Sequence, residues 1–228
     1  MSIAATDTTL VVIAGGAGSR MGVPKHSIRI AGRPILEDLL RRAGWDGPTI
    51  LSLDVGTTGP VGGAEGFGAV VHDAASGLGP LAGVVRALGA CRTAALVAVP
   101  VDMCEFSHEH LAWFVERAAR IGAEAAMMRR RLVAGEPLEP FPLYLTRASG
   151  LVIEGMFARG ERALRNLTRV PGFECIDAPA NWPESVWTNL NTPDDLARAE
   201  RARGYTEPSS ASRPRRPEVG RHETPHQG

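Results

Sequence analysis

The segment Gly15-Gly16-Ala17-Gly18-Ser19-Arg20-Met21-Gly22-Val23-Pro24-Lys25 holds the residues best suited to chemistry in this chain. Its glycines let backbone N–H groups close on a ligand and aim several donors at one anion, while Arg20 and Lys25 add positive charge. Lys25 is the only lysine, and the other 24 positively charged side chains are arginines. A compact, flexible ammonium placed in a glycine-rich loop suits a phosphate oxygen better than a planar fork would. The loop therefore reads as a phosphate cradle. Two other readings compete: a dinucleotide fingerprint, because Gly16-x-Gly18 with Gly22 approximates its spacing, and a plain glycine-rich turn. A fingerprint must lead straight into a helix, and here Pro24, Lys25 and the β-like run Ser27-Ile28-Arg29-Ile30 intervene. The plain turn leaves the sole lysine unexplained.

The elements that must hold this loop follow from the apolar pattern. Thr9 to Ala14 is a short β-branched run ending in glycines, as a buried parallel strand should. Pro34 to Ala43 has helical spacing with proline in its first turn, and Pro48 to Leu53 returns to a strand pattern. Gly68 to His72 (strand), Gly79 to Gly89 (helix) and Ala94 to Val99 (strand) continue the alternation. Ser107 to Ile121 reads as a helix with Ser107 as N-cap, and Ala123 to Met128 as a further strand. Such alternation predicts an α/β fold with a doubly wound, mostly parallel, Rossmann-like sheet in three α/β/α layers. Ligands bind such sheets at the carboxyl ends of the strands, where Asp54, Asp73 and Asp102 fall. A hard carboxylate at position 102 suits magnesium.

Arg129 to Pro142, rich in proline, glycine and charge, reads as a loop before a short strand at Pro142 to Tyr144 and a helix after Arg147. Thr192-Pro193-Asp194-Asp195 is a capping-box-like start for a helix to about Arg203. From Tyr205 onward proline, serine, arginine and glutamate dominate. Residues 1–204 are thus expected to form one domain and 205–228 a disordered tail.

The run Ala14-Gly15-Gly16-Ala17-Gly18-Ser19-Arg20-Met21-Gly22-Val23-Pro24-Lys25, with Ala31-Gly32-Arg33-Pro34-Ile35-Leu36 after it, resembles the signature of the molybdenum cofactor guanylyltransferase family. The resemblance continues through His72-Asp73 and Gly77 to Gly83, Pro100-Val101-Asp102-Met103, Gly160 to Leu164, and Thr188-Asn189-Leu190-Asn191-Thr192-Pro193. It implies transfer of GMP from GTP to the terminal phosphate of molybdopterin, with Mg2+ as the metal and pyrophosphate released. It further implies that Ile13, Ala14, Gly15, Gly16, Lys25, Asp54, Asp73 and Asp102 bind nucleotide and that Asp102 holds the metal. Lys25, Arg20 and Asp102 would serve catalysis, and Asn189 and Asn191 would meet the acceptor. Gly79-Pro80-Leu81-Ala82-Gly83 is similar to the segment guanylyl-specific members carry. Two departures stand out. Asp54 falls where the family often has asparagine, and Cys104-Glu105 replaces the usual proline and apolar residue after the aspartate and methionine. The partners implied are GTP, molybdopterin or the molybdenum cofactor, and other proteins of its biosynthesis.

Composition excludes several classes. The formal net charge is zero, so no overall field favours nucleic acid or an anionic membrane. No stretch reaches about 18 apolar residues, the start of the chain carries no leader pattern, and three cysteines without C-x-x-C spacing fit a reducing compartment. A cytoplasmic monomer is expected. A nicotinamide dehydrogenase is disfavoured because Lys25 is too far from any tyrosine for a Tyr-x-x-x-Lys pair. Transfer from CTP or to a sugar or alcohol phosphate, and a nucleotide binder without catalysis, are the alternatives. Cys104, His108 and His110 do not read as a metal cluster, since i and i+2 on a helix face different ways, and a surface role is expected for the two histidines. Trp113, Phe114, Met127 and Met128 read as core, and His26 as either a phosphate contact or an exposed loop residue.

Overall fold

The structure, a computed structural model, describes residues 7–15, 21–130 and 138–205. Strand β1 (Thr8–Ile13) lies in the interior of the sheet with all six residues buried. Only a strand covered on both faces tolerates such a continuous apolar run. A turn at Lys25–Ser27 then leads into a small hairpin, β2 (Arg29–Ile30) and β3 (Arg33–Pro34), where sequence suggested a single β-like run. Ala31 (φ 50°) and Gly32 (φ 78°) form its two-residue turn, as a tight hairpin requires.

Helix α1 (Ile35–Ala43) follows and stops at Gly44, which takes the left-handed conformation a helix end commonly needs. Next come β4 (Thr49–Leu53), β5 (Ala69–His72), α2 (Pro80–Ala90) and β6 (Ala95–Pro100). Helix α3 (His108–Arg120) leads to β7 (Ala125–Arg129), β8 (Glu139–Thr146), α4 (Gly150–Ala158), β9 (Phe173–Asp177) and α5 (Pro193–Ala202).

The seven strands lie in the order β5-β4-β1-β6-β8-β7-β9, and β8 alone runs against the others. From β1 the chain winds outward to β4 and β5, then returns to place β6 on the other side of β1. The gap between β1 and β6 is therefore the topological switch point, where ligands of such sheets bind. Helix α1 packs with α3, and α2 packs with α4, giving a helical layer on each side. Helix α2 sits close on the sheet because Gly83 has no side chain: a Cβ there would lie 2.7 Å from Ser52 Oγ.

Two strands differ from the sequence-based expectation. Strand β8 spans eight residues, not three, because Leu143, Tyr144 and Leu145 continue a buried ladder behind Pro140 and Pro142. Proline cannot donate to a ladder, and the β7 register jumps from Met127↔Leu143 to Met128↔Glu139 across those two residues. Strand β9 was not expected at all. It forms the sheet edge and buries only Ile176, so it carries no clear period. Residues 131–137 of the expected loop, and 206–228 of the expected tail, lie outside the described residues. Among the described residues no helix is long and apolar enough to cross a membrane.

Candidate active site

Registers bring the carboxyl ends of four parallel strands into line. Ile13 pairs with Ser52 of β4 on one side and with Pro100 of β6 on the other, and Leu53 pairs with His72 of β5. Beyond those ends the Ala14 amide donates to the Ser52 carbonyl (2.8 Å), Val101 to Ile13 (2.9 Å) and Asp73 to Leu53 (3.0 Å). The first residues of each loop are thus still tied to the sheet. Positions 14, 73 and 101 inherit its rigidity.

On the β6 side, Asp102 is buried with 8% exposure, and its carbonyl accepts from the Leu190 amide at 2.9 Å. Lys25 reaches over the switch point to ion-pair with Asp102 Oδ2, and the same ammonium donates to Asn191 Oδ1 at 3.0 Å. Residues 25, 102 and 191, far apart in sequence, form one node. Thr192 directly after it caps α5, its hydroxyl accepting from the Asp195 amide (3.2 Å) while Asp195 accepts from the Thr192 amide (2.9 Å). The Asn191 amide donates to the same Asp195 carboxylate (3.2 Å), so Asn191 is held beside the capping box as well as by Lys25, while Thr192 is the cap itself. Asn189 is exposed, one residue before Leu190.

On the other side, Gly15 faces Asp73 and Asp54. A Cβ on Gly15 would sit 3.5 Å from the Asp54 amide nitrogen and 3.6 Å from Asp73 Oδ2. Asp54 accepts from the Gly56 amide (2.8 Å) and from Ser76 Oγ (2.9 Å), so it shapes its own turn and draws in the next loop. Ser76 was not singled out in the sequence; it lies in a loop segment with no motif spacing of its own. Asp73 Oδ1 is buried and has no hydrogen-bond partner among the described residues. Burial, reinforced by the nearby Asp54 charge, raises the Asp73 carboxyl above its usual value, while Arg86 pulls the other way. Beside these groups lies an open cavity of about 420 Å³ lined by Ala14, Pro24, His26, Asp54, Thr57 and Ser76. Its size falls in the range of small-ligand sites. His26 is half-buried against this cavity. Gly16 and Arg20 lie outside the described residues.

A half-buried carboxylate with one buried, orphaned oxygen costs the fold stability. Because its folded value is raised, ionised Asp73 destabilises the fold as pH rises from about 3.8 through that value, and the penalty persists at neutral pH. Asp73→Asn is expected to raise the melting midpoint at pH 7 by at least about 1 °C. Thermal unfolding of the variant beside the wild type checks the sign.

The expected surface role of His108 and His110 holds for one of them. His108 is exposed and lies 3.0 Å from the Gly44 carbonyl. His110 is half-buried in an aromatic cluster, 4.5 Å from the Trp182 ring and 6.1 Å from Phe106, and its Nδ1 accepts from the Ser107 amide at 3.1 Å. Trp182 and Phe106 also pack on Trp187, just before the Thr188 to Asn191 segment. Burial holds the His110 imidazole below its usual value. The unfolded chain then takes up a proton near pH 6.5 that the folded chain refuses, so stability falls as pH drops below 6.5. One such proton gives a slope of at most about 1.4 kcal/mol per pH unit, which His110→Gln should flatten in denaturant titrations between pH 6.5 and 5. Among the described residues no group of three or more histidine, cysteine or acidic side chains could hold a metal alone. Burial pushes the Cys104 thiol up to about 11, which keeps it protonated and a poor ligand or nucleophile. Phe114, Met127 and Met128 are core, and Trp113 is partly buried against it, as expected.

Residues 10–171 match the model of the MobA-like NTP transferase domain. The chain belongs to this family. It is a nucleotidyltransferase, and its mostly parallel sheet is the fold of the MobA-like transferases. It is 32% identical over 200 residues to the molybdenum cofactor guanylyltransferase of Cereibacter sphaeroides, covering 83% of this chain and 94% of the relative. It is 30% identical to that of Rhodobacter capsulatus, covering 83% and 93%. A solved structure of molybdopterin-guanine dinucleotide biosynthesis protein A from Archaeoglobus fulgidus superposes with a TM-score of 0.67 at 22% identity, over 86% of this chain and 99% of that one. The fold is also that of 2-C-methyl-D-erythritol 4-phosphate cytidylyltransferase from Thermus thermophilus, with a TM-score of 0.64 at 20% identity, over 87% and 99%. The family match ends at residue 171, so α5 and Asn191 lie beyond it, within the reach of the longer relatives.

Proposed function

We propose that this MobA-like transferase moves GMP from GTP onto the terminal phosphate of molybdopterin, releasing pyrophosphate and forming the guanine dinucleotide cofactor. The observation that carries the reading is the Lys25–Asp102–Asn191 node at the switch point, beyond the carboxyl ends of β1 and β6. The named activity of the curated relatives supports the choice of donor and acceptor.

The chemistry asks little of a base. An acceptor phosphate oxygen is already nucleophilic; it forms a bond to the α-phosphorus of GTP as the bond to the β-phosphate oxygen breaks. The protein must align the two substrates and balance charge on the departing pyrophosphate. Lys25 is placed to do the second. Its ammonium lies at the centre of the node with only partial exposure, where a phosphate oxygen could replace the Asn191 contact without the ammonium leaving the site. The amides that follow Ala14, with Arg20, would hold the triphosphate. Gly15 leaves the space between β1 and the Asp73 carboxylate free of side-chain atoms, where a Cβ would make ordinary contact with Asp54 and Asp73.

Asp54 and Asp73 can accept from the donors of guanine or ribose, and the cavity beside them can take the nucleoside. Asp54 keeps the Ser76 and Gly56 contacts that fix this wall, so the aspartate found in place of asparagine still shapes the turn. A magnesium ion fits the donor set: one carboxylate, Asp102, at a strand end next to a phosphate site is what magnesium uses when phosphates complete its shell. It would supply charge neutralisation across the phosphates. Asn189 and Asn191 would hydrogen-bond the acceptor. Pyrophosphate release by the purified chain, with magnesium and molybdopterin, tests the reading with GTP, CTP, ATP and UTP in parallel. Release with GTP alone is expected; release with CTP alone, or only with a sugar or alcohol phosphate as acceptor, would replace it.

A further inference from the structure

We infer that helix α5 is the brace of the active-site node, and that Glu105 and Arg203 are positioning residues for catalysis. Three contacts of α5 support this, each reaching a different segment that carries or adjoins a residue of the node. At its start, the Thr192 capping box adjoins Asn191. Part-way along, Glu200 Oε1 accepts from the Ala31 amide at 2.8 Å. Ala31 is the one non-glycine residue with positive φ among the described residues, and it turns the hairpin that follows Lys25. A strained backbone persists when its surroundings hold it, and Glu200 supplies such a hold.

At its far end, Arg203 forks into the turn behind Asp102. Its guanidinium donates to Glu105 Oε1 (2.6 Å), to Asp38 Oδ2 (2.9 Å) and to Cys104 Sγ (3.5 Å). Arg42 of α1 completes the knot, donating to Glu105 Oε2 (3.0 Å) and to the Cys104 carbonyl (3.1 Å). The Arg203 and Asp38 side chains are 11% and 3% exposed, so this is a desolvated network in which each charge depends on the others. The Cys104-Glu105 pair that departs from the family pattern is thus the docking point for Arg42 and Arg203. The turn carrying Asp102 is held by ion pairs in this chain.

The kinetic half of the test rests on the guanylyltransferase reading; the structural half does not. In full-length protein, Arg203→Met is expected to lower kcat for pyrophosphate release about tenfold to a hundredfold, with KM for GTP moving less than about threefold. The Leu190 amide, which donates to the Asp102 carbonyl, should exchange its hydrogen at least about tenfold faster, while β1 amides hardly change. Glu105→Gln should do the same more weakly. Arg203→Lys should not restore kcat, because a single ammonium cannot bridge Asp38 and Glu105, and it serves if Arg203→Met does not fold. Met156→Ala, in the remote helix α4, is the control: it should lose thermal stability while keeping kcat and Leu190 protection. Unchanged Leu190 exchange in both Arg203 variants overturns the brace, whatever happens to kcat. Equal loss of kcat in Met156→Ala overturns it too. If the wild-type protein releases no pyrophosphate from any nucleotide, the functional reading fails, and Leu190 exchange alone decides the brace.

Discussion

Lys25→Ala is expected to lower pyrophosphate release from GTP by at least about a hundredfold, the loss seen when one preorganised electrostatic donor is removed from a transition state. The reason lies in how the ammonium is held. Two oxygen partners from separate loops, Asp102 and Asn191, fix it over the switch point before any phosphate arrives, so little reorganisation is needed during the reaction. The substitution leaves the Asp102 side chain, 12% exposed, without its ion pair. GTP binding should weaken less than turnover, because the proposed nucleoside wall at Asp54, Asp73 and Ser76 is untouched. Steady-state rates with saturating GTP check this, and near-normal turnover would take Lys25 out of the site.

The second large effect is at Asp102. Asp102→Ala is expected to reduce turnover by at least about a hundredfold and to raise the magnesium concentration needed for half-maximal turnover. The folded protein should survive: the backbone contact that positions this residue, Leu190 N–H to the Asp102 carbonyl, does not involve the side chain. Magnesium titrations of turnover against the wild type are the measurement. A variant with the wild-type magnesium midpoint would move the metal to other ligands.

Much of this was legible in the sequence for physical reasons. Parallel strands buried on both faces write themselves as apolar runs, so β1 and β6 fell within a residue of the expected bounds. The node was legible only in pieces. Lys25 stood out by its loneliness and Asp102 by its strand end, but nothing in the spacing ties residue 25 to 191; the winding of the sheet does that. The knot of Arg42, Glu105 and Arg203 was invisible for the same reason, appearing only as a departure at Cys104-Glu105. Strand β8 was half-read because Pro140 and Pro142 speak of a loop while Leu143 to Leu145 speak of a strand. His110 was misread because a histidine on an otherwise charged helix start gives no sign that Trp182 will come to rest on it.

The node also makes the protein unusually simple to address with chemical reagents. An amine-directed acylating agent finds one side chain in the whole sequence, and that side chain is engaged by a carboxylate and an amide oxygen. Label incorporated away from the α-amino group therefore reports directly on how often those two contacts open. Mass spectrometry of the intact chain could count it as a single added group, turning a lone lysine into a built-in gauge of site occupancy.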